Sequence, residues 1–163
     1  MSKALLLAAG LSVAMTPAFA GEIIFGVGVD DALSRTNSSA GAFTFEYHLD
    51  PAWEGRNWTA GWGTVAQFDG DNDVFVGVNI QGRYDLGERW FVEGSFGPGY
   101  YDAGSNGTDL GSDFQFRSLI GVGAYVGEAS QISIAIEHKS HGNLSDGPNP
   151  GVETISLRYG RRF

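Results

Sequence analysis

From residue 23 to the C-terminus, apolar and polar side chains alternate at period two in eight segments: 23–29, 42–49, 59–68, 74–84, 90–101, 114–126, 131–140 and 152–163. Period two is the signature of a strand, because successive side chains leave a pleated backbone on opposite sides. In the fourth segment Val74, Val76, Val78, Ile80 and Tyr84 share one face, while Phe75, Gly77, Asn79, Gln81 and Arg83 share the other. The fifth sets Trp90, Val92, Phe96 and Tyr100 against Glu93, Ser95 and Gly97, and the sixth sets Phe114, Phe116, Ile120, Val122 and Val126 against Gln115, Arg117 and Gly121. The eighth sets Ile155, Leu157, Tyr159 and Phe163 against Thr154, Ser156, Arg158 and Gly160.

A water-soluble sandwich alternates too, so the contents of the second face have to decide. That face holds glycines, amides and matched charges: Glu46, Glu93 and Glu137 against Arg83, Arg117 and Arg158. Such charges can neutralise one another inside a narrow space, whereas a solvated sandwich face would be strewn with lysine. After residue 20, Lys139 is the only lysine. The pattern predicts an all-β fold, an eight-stranded antiparallel transmembrane β-barrel. Its interior is just wide enough for side chains, and in lipid it must close because no backbone edge can stay unpaired.

Connections agree with this topology. The turns at 86–88 and 127–130 are tight, while 30–41, 103–113 and 141–151 are long and polar, as in barrels with short periplasmic turns and long outer loops. The stretch "DPAWEGRNW" is long for its side and "DGDND" short for its own. Tyr47, Trp58, Trp62, Tyr84, Trp90 and Phe163 fit an interfacial girdle at the inner rim, and His48 is expected to join it. Residues 1–20 read as a cleaved signal peptide, with Lys3, an apolar run and "AFA" before the expected cleavage point; 21–163 form the barrel domain. Without cysteine, an exported domain of this size is held by something other than disulfides. The exported part carries 19 acids against 9 bases, which argues against nucleic acid as a partner. Localisation in a bacterial outer membrane, among outer-membrane lipid, follows from the combination.

One face breaks its own rule. Ile132, Ile134 and Ile136 continue at the same parity into His138 and Ser140, and Glu153 has lipid-facing parity at the start of the next segment. If Glu153 lies directly opposite His138 or Ser140, the remaining residue is a diagonal neighbour, with separations of about 5 and 7–8 Å. Serine becomes a nucleophile when a base takes its proton, and histidine serves best when a carboxylate fixes its tautomer. A triad pointing into the membrane must draw its substrate from there, and the outer leaflet holds lipopolysaccharide, whose lipid A carries ester-linked acyl chains.

The run His138, Lys139, Ser140, followed by Asn149, Pro150, Gly151 and Glu153, resembles the signature of the lipid A 3-O-deacylase family. The likeness covers the exported chain in size and architecture, and the motif in 138–153. It implies hydrolysis of the 3-hydroxyacyl ester at position 3 of lipid A, with Ser140 as nucleophile, His138 as base and Glu153 orienting the histidine. No cofactor and no metal are expected. Where the family usually has asparagine after the serine, this chain has His141. His141, Asn143, Asn149, Gly151 and backbone amides are therefore the candidates for oxyanion or supporting roles.

The competing readings are that His138, Ser140 and Glu153 are merely the polar edge of a loop on a non-catalytic barrel used for adhesion or envelope integrity, or that the barrel is a pore or a lipid A acyltransferase. A rival pair, His141 with Ser145, lies off the strand. A homodimer is compatible with the sequence. Asp69, Asp71 and Asp73 have calcium-loop spacing but lack the later glutamate, so a solvated hairpin tip is expected. "GVGAYVG" is read as inward glycines making room rather than as a dinucleotide loop.

Overall fold

The computed structural model describes residues 20–33 and 39–163; the expected signal peptide lies outside the described residues apart from Ala20. The strands are β1 (Gly21–Asp30), β2 (Ala40–Leu49), β3 (Trp53–Glu54), β4 (Trp58–Asp69), β5 (Val74–Asp85), β6 (Trp90–Asp102), β7 (Phe114–Tyr125), β8 (Ser130–Ser140) and β9 (Val152–Arg162). Every pairing is antiparallel, and two of them close the sheet: β1 with β9 and β2 with β4. Since β3 is a two-residue arm folded back on β4, the wall of the barrel has eight strands. That arm explains the long first turn, which carries Trp53 back against Trp62 with ring centroids 6.2 Å apart.

The start of β1 and the end of β9 meet at one rim, where Phe163 N donates to Gly21 O and Gly21 N to Phe163 O. The short turns share this terminal rim. The loops 103–113 and 141–151 share the opposite one, the loop rim, with the end of β1 and the start of β2.

The two faces separate as alternation requires. Outward side chains are apolar and uncovered, with Ile120 66% and Ile134 60% exposed, and they continue through Val27, Phe43, Val78 and Leu157 around the wall. A soluble monomer does not expose a continuous apolar belt of this size, and strands of this length suit a tilted bilayer span. Trp58, Trp62, Tyr84, Trp90 and Phe163 stand exposed toward the terminal rim, as a girdle should.

The lumen is filled. Arg117 donates from Nε to Glu137 Oε2 (2.8 Å) and from Nη2 to Glu46 Oε1 (2.7 Å). Arg158 joins Glu46 (3.0 Å) to Glu93 (2.6 Å), and Arg83 reaches Glu22 at 3.0 Å. All six charges expected inside are there, joined by Glu22, which lies one residue before the first expected segment. His48 corrects an expectation: it is not a girdle residue. Its parity is that of Thr44 and Glu46, so it is 5% exposed inside the lumen, with Nε2 2.8 Å from Glu46 Oε2. Toward the loop rim, Val65, Phe75, Tyr101, Val152 and Leu110 from the 103–113 loop pack together and plug the interior. The inward glycine reading holds at Gly123, where a Cβ would lie 2.3 Å from the Phe91 ring.

The "DGDND" turn is more than a solvated tip. Asp73 is 4% exposed and accepts hydrogen bonds from Tyr101 Oη (2.6 Å), Gly104 N (2.7 Å) and Thr108 N (3.4 Å), tying the 103–113 loop to the β4–β5 hairpin. Asp69 Oδ1 caps the same turn, accepting from Asp71 N and Asp73 N.

Candidate active site

Strands β6 to β9 lie side by side at the loop rim, and their register sets out a row on the lipid face: Phe96 opposite Ser118, Ser118 opposite His138, His138 opposite Glu153. Phe116 and Ser140 form the next row toward the rim. His138 Nδ1 lies 2.9 Å from Glu153 Oε1. Their side chains are 45% and 28% exposed, on the same face as Ile134, Ile136 and Ile155, so they stand on the apolar outer side of the wall near the loop rim. Ser140 follows His138 by two residues on that face, about 6.6 Å along the strand. With Nδ1 turned to the carboxylate, Nε2 is the ring nitrogen left for a hydroxyl.

Gly151 explains how the ring fits. The β8–β9 ladder ends at Lys139–Val152, and Gly151 comes next with φ +72°, a conformation natural to glycine. A Cβ there would lie 2.5 Å from His138 Cε1, so the imidazole lies against bare backbone.

The structure assigns the other named residues to different places. The ring of His141 is 1% exposed and turned away from the lipid face, with Nε2 3.3 Å from Pro148 O. One residue on from Ser140, it has the opposite parity. Its backbone N–H donates to Asn149 Oδ1 (3.3 Å), and Asn149 Nδ2 donates to Asn143 Oδ1 (3.1 Å), so Asn149 staples the loop. The chain turns at Gly142 (φ +59°) and Asn143 (φ +58°), immediately beyond Ser140. The rival Ser145 donates to Gly111 O at 3.2 Å, away from His141.

Ser118 is a site residue the sequence reading passed over. It is a polar interruption of the apolar face formed by Phe114, Phe116 and Ile120, the same kind of anomaly that marked His138, and its Oγ lies 3.5 Å from His138 O. A groove of about 430 Å³ runs along this face, lined by Phe96, Phe116, Ser118, His138, Ser140 and Leu144. The Phe96 and Phe116 rings stack at 5.5 Å along its floor. Among the described residues, the carboxylates with cation-holding geometry are elsewhere: Asp30, Asp69 and Asp73 bring oxygens within 4.8 Å of one another inside the loop rim, and the Lys139 ammonium stands 3.1 Å from Asp30 Oδ1.

A closed barrel with an apolar outer belt, a filled charged lumen and a polar His–Glu pair breaking the belt at one rim is a small outer-membrane barrel. The chain belongs to the family described as Lipid A 3-O-deacylase (PagL), whose model matches residues 25–162. It is thereby a member of a family of ester hydrolases. It is similar to the Lipid A deacylase PagL of Bordetella bronchiseptica, 30% identical over 82 residues, which cover 50% of this chain and 46% of that protein. The match thus spans about half the length of that relative. Among solved structures, the outer membrane enzyme PagL superposes with a TM-score of 0.67 at 19% identity, over 87% of this chain and 99% of that one. Ail, the attachment invasion locus protein of Yersinia pestis, has the same architecture with a TM-score of 0.54 at 13% identity, over 88% and 97% of the two chains. At these identities the superpositions speak for the fold.

Proposed function

We propose that this protein is a lipid A 3-O-deacylase, a serine esterase that removes the 3-hydroxyacyl chain esterified at position 3 of lipid A in lipopolysaccharide. The observation that carries the proposal is the 2.9 Å contact between His138 Nδ1 and Glu153 Oε1 on the lipid-facing side, beside Ser140, in a chain of this family. The ester carbonyl of an outer-leaflet lipid lies at the depth of that rim, so substrate approaches laterally. Ser140 Oγ attacks the carbonyl carbon while His138 Nε2 takes the hydroxyl proton, and Glu153 steadies the imidazolium. The tetrahedral intermediate collapses, His138 returns the proton to the sugar oxygen, and the acyl chain stays on Ser140. Water, deprotonated by His138, then releases the 3-hydroxy fatty acid. Backbone amides of Gly142 and Asn143 are the natural donors to the oxyanion, since the His141 N–H is taken by Asn149. Asn149 and Gly151 hold that turn and the imidazole. The scheme uses residues of one chain, and no step calls for a metal or cofactor.

The test is mass spectrometry of lipid A incubated with the purified barrel. Loss of one 3-hydroxyacyl chain, abolished in Ser140→Ala, is the expected result. An unchanged lipid A profile with folded wild-type protein would reject the activity and favour a non-catalytic barrel, and full activity in Ser140→Ala would reject the nucleophile.

A further inference from the structure

The residues next to the proposed catalytic groups point the other way. Lys139, between His138 and Ser140, and Thr154, directly after Glu153, both turn into the lumen, where they are 1% and 0% exposed. Both meet one carboxylate, that of Asp30 at the end of β1. Lys139 Nζ is 3.1 Å from Asp30 Oδ1, and Thr154 Oγ1 donates to the same oxygen. Gln67 on β4 completes the knot, donating from Nε2 to Asp30 Oδ1 (3.3 Å) and to Thr154 Oγ1 (3.0 Å). Just past Asp30 the backbone joins in: Ala32 N donates to the carbonyl oxygen of Glu153 itself, at 3.0 Å.

The position of this knot gives it a purpose. The β1–β9 ladder ends at Val29–Ile155 and the β8–β9 ladder at Lys139–Val152. Glu153 therefore lies beyond the last β1–β9 rung, at the kind of strand end that frays first. A buried ammonium–carboxylate pair is a poor choice for stability alone, since well-packed apolar residues of similar volume often serve as well or better. What such a pair does supply is a fixed position. It anchors β8 between its two outward site residues, and β9 beside its own, to a single point on β1.

We infer that Asp30 is a positioning residue for the deacylation site, holding His138, Ser140 and Glu153 in reacting geometry through Lys139, Thr154 and the Ala32–Glu153 hydrogen bond. The inference rests on the function proposed above. It assigns Asp30 no contact with substrate, so its effect belongs in kcat rather than KM.

The test separates geometry from stability. Asp30→Asn alone orphans a buried ammonium and can lose the fold, so the informative variant is the double substitution Asp30→Asn with Lys139→Met, which removes both charges together. Folded barrel is scored by heat-dependent gel migration, and kcat and KM are measured on lipid A in detergent micelles beside wild type and Ser140→Ala. The double variant is expected to fold, with kcat reduced about 10- to 100-fold, as for a misplacement of about 1 Å at a reacting group, and KM within about twofold of wild type. Wild-type kcat in the folded double variant, or a loss that sits in KM, overturns the inference. If the double variant does not fold, Thr154→Val decides the question: reduced kcat at constant KM supports the tie, and unchanged kcat overturns it. Full activity in Ser140→Ala overturns the underlying site assignment instead, and is read in the same experiment.

Discussion

Replacing Glu153 by glutamine keeps the side chain's size and an acceptor for the His138 Nδ1 proton, and removes only the charge. The bond at stake is the 2.9 Å contact to His138. A hydrogen bond to a charged group contributes about 1.5–3 kcal/mol and a neutral one about 0.5–1.5, so losing the charge costs roughly 1.3 kcal/mol between the midpoints of the two ranges. The upper end is set by the attraction between carboxylate and transient imidazolium, about 4 kcal/mol at 4 Å and an effective dielectric near 20. The pair sits between these bounds because its open side is lipid and headgroup rather than bulk water. Converted to rate, the range is about 10- to 1,000-fold in kcat. KM should stay near wild type, because in the proposed mechanism Glu153 touches the base and not the substrate. Glu153→Ala should be slower still, since the imidazole then has neither charge nor orientation. Thermal midpoints of both variants should move little, as the pair is half-exposed at the rim. The assay is the initial rate of 3-hydroxy fatty acid release from lipid A in micelles. A kcat for Glu153→Gln within about twofold of wild type, in folded protein, would refute the assignment of this carboxylate.

The same geometry has other consequences. Gly151→Ala puts a Cβ 2.5 Å from His138 Cε1 at φ +72°, so activity should fall sharply and stability by about 1–3 kcal/mol, read as kcat and as the urea midpoint of refolded barrel. Arg117→Met leaves Glu137 and Glu46 short of a buried partner and should cost about 3–5 kcal/mol of stability in urea unfolding, one of the largest losses from any single lumen change. Ile134→Arg, placing a charge in the middle of the lipid-facing belt, should cost about 2–4 kcal/mol in bilayer-folded protein, and much less if that face met water.

The wall and its two faces were legible because each strand states its facing locally: Val76, Val78 and Ile80 define their lipid face without knowing what lies beside them. The ion partners were legible for a related reason. Once the second face is interior, Glu46, Glu93 and Glu137 have little but Arg83, Arg117 and Arg158 to meet. His48 was misread because an aromatic ring near a rim suggests a girdle, although its parity with Glu46 already placed it inside. The two-residue arm β3 was missed since so short a strand has no period to detect. The facing of His138, Ser140 and Glu153 was carried by the same alternation that fixed the wall, and the register then put His138 directly opposite Glu153. Ser118 carried the same signal, polar among Phe114, Phe116 and Ile120, and needed only to be weighed as His138 was. What could not be read is the Asp30 knot. Asp30 and Lys139 are 109 residues apart, and nothing local to either predicts that barrel closure through β1 and β9 brings them to 3.1 Å.

Closure also accounts for where the proposed chemistry lies. A lumen packed with three arginines, four glutamates and a plug containing Leu110 has no room for a lipid, so a barrel this small can meet an acyl ester only through its outer wall. A wall is a poor place for a reactive constellation unless something rigid backs it, since polar groups facing lipid gain little from their surroundings. Here the backing is the charged interior, one residue removed from every proposed catalytic side chain: Glu137 and Lys139 flank His138, Lys139 precedes Ser140, and Thr154 follows Glu153. The alternation that makes the strand amphipathic thus gives each outward group an inward neighbour fixed by hydrogen bonds. On this argument, lumen substitutions near the loop rim should change the rate more than equally destabilising ones near the terminal rim. A comparison of Thr154→Val with Gln131→Leu at matched stability measures that difference directly, and equal kcat in the two would mean that the interior supports the fold without shaping the site.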